Sequence, residues 1–332
     1  MTKLITPSFT SSLAPTLYRF VEYKRDSGFK YNSEIKELQR LDRFILNNGL
    51  SIPFTDDVIV KWLSKRENES AKTFSTRNSV YRQLHAYMST IENVLLPAPV
   101  PTKDRTMKGG FTPFIFSHSQ IASFFEAIDN DIHTNPVFSR NAPLLFRILY
   151  GTGLRINEAL SLTVADVSPG CLMLLIRDGK NNNSRLVPLS GSLAKRMDSY
   201  LIENPYGDDE PLFQTSNGTA ISKNTAYDWF RRALWKAGIP HQGRGKGPRL
   251  HDLRHTFAVH SLQNAVKNGT DINAFLPILC TYLGHQRISA TERYLRLTAE
   301  VFPDVISSVD DLNSGDKIEL KLHNGIKKAI IE

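Results

Sequence analysis

Cys171-Leu172-Met173-Leu174-Leu175-Ile176-Arg177-Asp178-Gly179-Lys180-Asn181-Asn182-Asn183-Ser184-Arg185-Leu186-Val187-Pro188-Leu189 breaks the pattern of the chain around it. Leu172, Leu174 and Ile176, then Leu186, Val187 and Leu189, flank a polar run rich in turn-forming residues, which reads as strand, turn and strand. On both sides of this segment the apolar residues recur mostly at helical spacing. The expected fold class is therefore mainly α with a small β-sheet, an α+β arrangement, and Lys180 stands in the turn of the hairpin.

Upstream, Leu13, Leu17, Phe20 and Val21 form one apolar stripe, and Ile35, Leu38, Leu41, Phe44 and Ile45 form a second, with Gly28 and Gly49 as stops. Val58, Trp62 and Leu63, then Val80, Leu84, Tyr87, Met88 and Ile91, mark two more, so the N-terminal region reads as a bundle of four helices. Pro97, Pro99 and Pro101 precede Lys103, Arg105, Lys108, Gly109 and Gly110, a composition suited to an exposed connector. A second domain opens near Phe114, where Ser117 and Gln120 have capping-box spacing ahead of Ile121, Phe124, Phe125 and Ile128. Strong periodicity is lost beyond Pro303. The expected boundaries are a helical domain over 1–96, a linker over 97–112, a second domain over 113–306 and a tail over 307–332 whose order in isolation is in question.

The chain has 332 residues, with 41 Lys and Arg against 33 Asp and Glu, a formal charge of +8 that favours a polyanionic partner such as nucleic acid. Its two cysteines, Cys171 and Cys280, argue against a disulfide framework or a Cys-rich zinc site and fit a reducing cytoplasm. No run of eighteen apolar residues and no apolar leader occurs, so neither membrane insertion nor secretion is expected.

Three further segments carry chemistry. In Gly151-Thr152-Gly153-Leu154-Arg155-Ile156-Asn157-Glu158, an arginine follows a glycine turn at a helix start and suits an anion, unless it simply pairs with Glu158. In Leu250-His251-Asp252-Leu253-Arg254-His255-Thr256-Phe257, helical spacing brings His251, Arg254 and His255 to neighbouring parts of one face. The His251 and His255 spacing is also that of a zinc-protease helix, but Asp252 replaces the glutamate that such chemistry needs. In Tyr282-Leu283-Gly284-His285, followed nine positions later by Tyr294 between Arg293 and Arg296, a phenol sits in basic company that suits a phosphate.

In this order, Arg155, the hairpin Lys180, the His251-x-x-Arg254 box, the Leu283-Gly284-His285 turn and Tyr294 resemble the tyrosine recombinase or phage integrase family over roughly residues 114–302. The helical N-terminal region is similar in size and helix count to that family's core-binding, SAM-like domain, and residues 276–285 look like integrases of transposons and other mobile elements.

The resemblance implies a two-domain clamp on double-stranded DNA that cleaves and rejoins strands through a 3′-phosphotyrosine. Tyr294 would attack, while Arg155 and Arg254 hold the non-bridging oxygens. Lys180 would protonate the leaving 5′ oxygen, His251 would assist proton transfer at the nucleophile, His285 would bond the phosphate, and His255 would be structural. Neither a metal nor a nucleotide cofactor is expected, because the phosphodiester energy is kept in the protein linkage. The implied assembly is a homotetramer on two DNA sites, with accessory DNA-bending proteins as possible partners. The tail, with Val305, Val309 and Leu312 at helical spacing, would pack on a neighbouring subunit. The rival expectations are a type IB topoisomerase-like nicking and resealing enzyme and a catalytically silent DNA-binding regulator.

Overall fold

A computed structural model of the chain describes residues 4–51, 56–94, 96–99, 112–131, 135–177, 184–241, 243, 247–285, 291, 294–295, 319–322 and 325–328. The chain divides into two compact units, Met1–Gly109 and Gly110–Glu332.

The first unit holds four described helices, α1 (Ala14–Asp26), α2 (Asn32–Asn47), α3 (Asp56–Leu63) and α4 (Ala71–Thr90). Their apolar stripes close on one core, with Leu17, Phe20, Ile35, Leu38, Trp62 and Leu84 among its members. Two buried charges are compensated inside it. The Asp42 carboxylate accepts the Thr10 and Ser11 backbone N–H groups at 2.9 and 3.0 Å, and Arg77 pairs with Glu69 at 2.5 Å. Ile91, expected on the buried stripe of α4, lies past its last turn and is exposed.

The second unit begins with α5 (His118–Asp129), α6 (Pro136–Thr152) and the five-residue α7 (Ile156–Leu160). The capping box of α5 forms as its spacing implies: Gln120 N–H donates to Ser117 Oγ at 3.1 Å, and Gln120 Oε1 accepts from Ser117 N–H at 2.9 Å. Strands β1 (Met173–Ile176) and β2 (Arg185–Pro188) then pair antiparallel, Met173 opposite Pro188 and Ile176 opposite Arg185. Leu174, Ile176 and Val187 point into the core, whereas Leu172 and Leu186 stay exposed. Leu172, expected at the start of the first strand, precedes it, after Cys171 takes a left-handed φ of 54°. Helices α8 (Gly191–Glu203), α9 (Lys223–Lys236), α10 (Asp252–Lys267) and α11 (Ile272–Leu283) follow. Phe124 meets Phe146 and Phe230 at the centre of the main core, and α10 packs against both α6 and α11. A smaller core joins α10 and α11, with Val259, Leu262, Leu276, Leu279, Leu283 and Tyr294.

The tail over 307–332 carries a short hairpin among its described residues. Strands β3 (Glu319–Leu322) and β4 (Gly325–Lys328) pair antiparallel within it, and the alternation Glu319-Leu320-Lys321-Leu322 has the period of a strand. Val305, Val309 and Leu312 lie outside the described residues. Among the described residues, no helix is long and apolar enough to cross a membrane.

Candidate active site

Two glycine turns hold the site together. Gly153 ends α6 with φ 62°, a left-handed conformation that glycine adopts without strain. A Cβ there would lie 2.6 Å from Phe257 Cδ1 and 2.8 Å from Leu283 Cδ2. Gly284 ends α11 with φ 66°, and its missing Cβ leaves room for the Arg185 guanidinium, whose Nη1 would otherwise be 2.8 Å away. Both turns therefore permit close approach of backbone and side chain.

Arg254, on α10, is only 1% exposed. Its Nη1 donates to the Gly153 carbonyl at 2.7 Å and its Nη2 to the Leu283 carbonyl at 2.6 Å. Burial, followed by the nearby Arg155 charge, lowers its pKa to about 10, so it remains a cation at neutral pH. These carbonyl partners carry no formal charge, which leaves the guanidinium's positive charge available to an anion.

Arg155 stands at the start of α7. Its backbone N–H donates to Glu158 Oε2 at 2.9 Å, its Nη1 to Glu158 Oε1 at 2.7 Å, and its Nη2 to the Gly284 carbonyl at 3.4 Å. Because α7 spans just five residues, the guanidinium rather than a helix dipole supplies the attraction here. Glu158 also binds Arg185, which reaches in from β2 and donates through Nε to the Tyr282 carbonyl at 3.0 Å. Burial would raise the Glu158 carboxyl, but the hydrogen bonds and charges of Arg185 and Arg155 outweigh it and hold the group at about 2. One carboxylate thus faces three guanidiniums, those of Arg155, Arg185 and Arg254, and the pocket is net cationic.

The remaining groups are aromatic. His251 keeps an open face to solvent, while protein packed against the rest of the ring, then Arg254, Arg155 and Arg249, push its pKa down to about 4. The His251 and His255 rings meet edge to face, with centroids 4.7 Å apart. His255 Nδ1 lies 3.1 Å from the Tyr294 hydroxyl. The His285 ring is nearly parallel to Tyr294 at a 6.0 Å centroid distance, and its Nδ1 meets Thr291 Oγ1 at 3.0 Å. Burial and the arginines bring His285 down to about 4 as well. Tyr294 itself is 3% exposed.

The phage integrase family model matches residues 115–300, more than half of the chain. The chain belongs to the phage integrase family. Among similar proteins is the tyrosine recombinase XerD of Corynebacterium glutamicum, 30% identical over 201 residues that cover 59% of this chain and 61% of that protein. Two solved structures share the fold. The XerH site-specific recombinase bound to palindromic difH substrate, in a post-cleavage complex, superposes with a TM-score of 0.62 at 23% identity, covering 84% of this chain and 79% of that one. The Tn1549 transposon integrase in complex with circular intermediate DNA gives 0.58 at 21% identity, covering 86% and 95%.

As a member of the tyrosine recombinases, the chain is a DNA recombinase enzyme, and five of its six sequence-predicted site residues fall within the described structure. Arg155, His251, Arg254, His285 and Tyr294 converge on one pocket, drawn from the turn before α7, from α10, and from the segment after α11. Lys180 lies outside the described residues. Asp252, the residue that weakens the zinc-protease reading, is fully buried and accepts the Arg249 backbone N–H at 2.8 Å and its Nη2 at 3.0 Å. Among the described residues, no group of three His, Cys, Asp or Glu side chains is arranged to hold a metal ion.

Three further side chains, Glu158, Arg185 and His255, stand against these residues. The sequence offers Glu158 as a pairing partner that would make Arg155 ordinary, yet the pair is also what orients Arg155. Arg185 gave no separate signal, since its partner Glu158 is 27 residues away. His255, for which the resemblance implies a structural role, follows Arg254 directly and stands one turn from His251, the spacing of a shared face.

Proposed function

We propose that this chain cleaves and rejoins double-stranded DNA at specific sites through a 3′-phosphotyrosine on Tyr294, serving the integration, excision or transposition of a mobile element. The observation that carries the reading is the phenol of Tyr294 set beside His255 and His285 in a pocket whose two arginines, Arg155 and Arg254, are gripped by backbone carbonyls. Fixed cations of this kind stabilise the charge that develops on phosphoryl oxygens without reorganising during the reaction. In this reading Arg155 and Arg254 bind the non-bridging oxygens, His285 bonds the phosphate, and Lys180 donates a proton to the departing 5′ oxygen. The helical first unit would bind the same duplex, and four copies on two sites, with or without DNA-bending partners, would complete recombination. The transposon integrase neighbour supports the mobile-element role.

The test uses duplexes from the DNA flanking the chain's own gene, each nicked so that the short 5′-hydroxyl strand diffuses away after cleavage. A covalent adduct at Tyr294 should accumulate, persist in excess chelator and vanish in Tyr294→Phe, which should still bind the duplex. An adduct that survives the substitution, or one that requires added metal, refutes the reading. Relaxation of supercoiled DNA by a monomer without site preference would favour a topoisomerase-like enzyme instead.

A further inference from the structure

We propose that His255, and not His251, is the group that holds the Tyr294 hydroxyl and takes its proton as the strand is cut. The inference rests on Tyr294 being the nucleophile and goes on to name its proton acceptor.

Geometry separates the candidates. His255 Nδ1 is 3.1 Å from the phenolic oxygen, within the reach expected of a general base. His251 instead meets the ring of His255 and is surrounded by the charges of Arg254, Arg155 and Arg249. Three neighbouring guanidiniums oppose the arrival of another positive charge, so His251 is poorly suited to receiving a proton and better suited to hydrogen-bonding as a neutral ring. His285 has its Nδ1 turned to Thr291.

Packing makes the His255 contact reproducible. Arg254, the preceding residue, locks α10 to the Gly153 and Leu283 carbonyls, and Tyr294 is wedged into the small core beside Val259, Leu262 and Leu283. At 3% exposure the phenol has little water around it to receive a proton. A phenol is a weak acid and a poor nucleophile while it keeps its proton, so attack at neutral pH calls for a neighbouring base. In the proposed step the Tyr294 Oη–H bond breaks and its proton passes to Nδ1 while the Oη–P bond forms. The P–O5′ bond breaks, and the 5′ oxygen leaves with a proton from the acid, a role given above to Lys180. Resealing runs the same transfers backwards, with Nδ1 returning the proton to the phenol. The histidine must start as the tautomer with hydrogen on Nε2.

The experiment follows single-turnover adduct formation by the full chain on the nicked duplex that the parent cleaves. His255→Asn keeps a polar group near the Nδ1 position but cannot accept a proton at neutral pH. It should lower the adduct rate by about 10²- to 10⁴-fold with duplex affinity retained. Placing a fluorinated tyrosine, with its more acidic phenol, at position 294 should recover most of that loss in His255→Asn while changing the parent little. The recovery is measured within the variant, so a partial folding defect lowers both arms together and leaves the comparison intact. His251→Asn should slow cleavage without such recovery. The inference is overturned if His255→Asn cleaves at the parent's rate, if acidifying the phenol restores nothing, or if it rescues His251→Asn instead. A parent chain that forms no adduct at Tyr294 overturns the nucleophile assignment itself, whereas a parent adduct with an unaffected His255→Asn overturns the acceptor alone.

Discussion

Arg185 closes both terminal nitrogens on the carboxylate of Glu158, Nη2 at 2.9 Å from Oε2 and Nη1 at 3.2 Å from Oε1. The same carboxylate receives Arg155, so strand β2 and the start of α7 share one negative charge. Removing it should therefore be felt in both places. Glu158→Ala is expected to cost about 1–3 kcal/mol in urea unfolding, less than a fully buried pair because the Arg155 side chain keeps part of its surface in water. Unaltered stability would show that the two arginines are held by other contacts.

Arg155→Ala and Arg254→Ala should diverge in stability while converging in chemistry. Each removes a cation from the reacting phosphate, so adduct formation should fall by about 10²- to 10³-fold, far more than duplex affinity, which many contacts share. Only Arg254→Ala strands the buried Gly153 and Leu283 carbonyls, at about 1–3 kcal/mol for each group left unpaired. Equal losses of cleavage and affinity would mark these arginines as ordinary DNA-backbone contacts.

Gly153→Ala combines a left-handed φ with a Cβ driven into Phe257 and Leu283. A loss of about 1–3 kcal/mol is expected, together with slower cleavage as Arg254 loses its anchor. Gly191→Ala serves as the control. It sits at the first position of α8 with nothing within 4 Å of the added carbon, so its denaturation midpoint should match the parent.

Three histidines, His251, His260 and His285, have folded pKa values near 4, against an ordinary 6.5. For His260 and His285 burial is the main cause. A depressed pKa means that the unfolded chain binds protons more readily, so the stability is present above pH 6.5 and is lost as pH falls toward 4. Thermal midpoints should decline across that window, before Glu158 begins to protonate. His260→Gln should flatten part of the slope. A midpoint constant between these pH values would contradict the burial of these rings as a source of linkage.

What could be read in the sequence was whatever is local. The capping box of Ser117 and Gln120, the hairpin around Lys180 and the Arg155 to Glu158 pair all lie within a few residues, where spacing alone predicts contact. Arg185 with Glu158 and His255 with Tyr294 are 27 and 39 residues apart, and no periodicity links them. Order and residue type were enough to gather Arg155, His251, Arg254, His285 and Tyr294 into one candidate pocket. Choosing which histidine faces the phenol required α10 and the segment after α11 in three dimensions, because His251 and His255 stand on the same side of their helix.

The grip on Arg254 has a consequence for how this pocket would look to statistics. Its two partners are peptide oxygens, a group that every amino acid provides, so no exchange of one side chain for another can compensate a change at position 254. Covariation methods would find no coupled column for this deeply held cation. A saturation scan would likewise report Leu283 only through its apolar packing and never as a ligand of the guanidinium. This link among the site segments is thus written in backbone conformation, with Gly153 as its one residue-specific mark, rather than in the identity of a partner side chain.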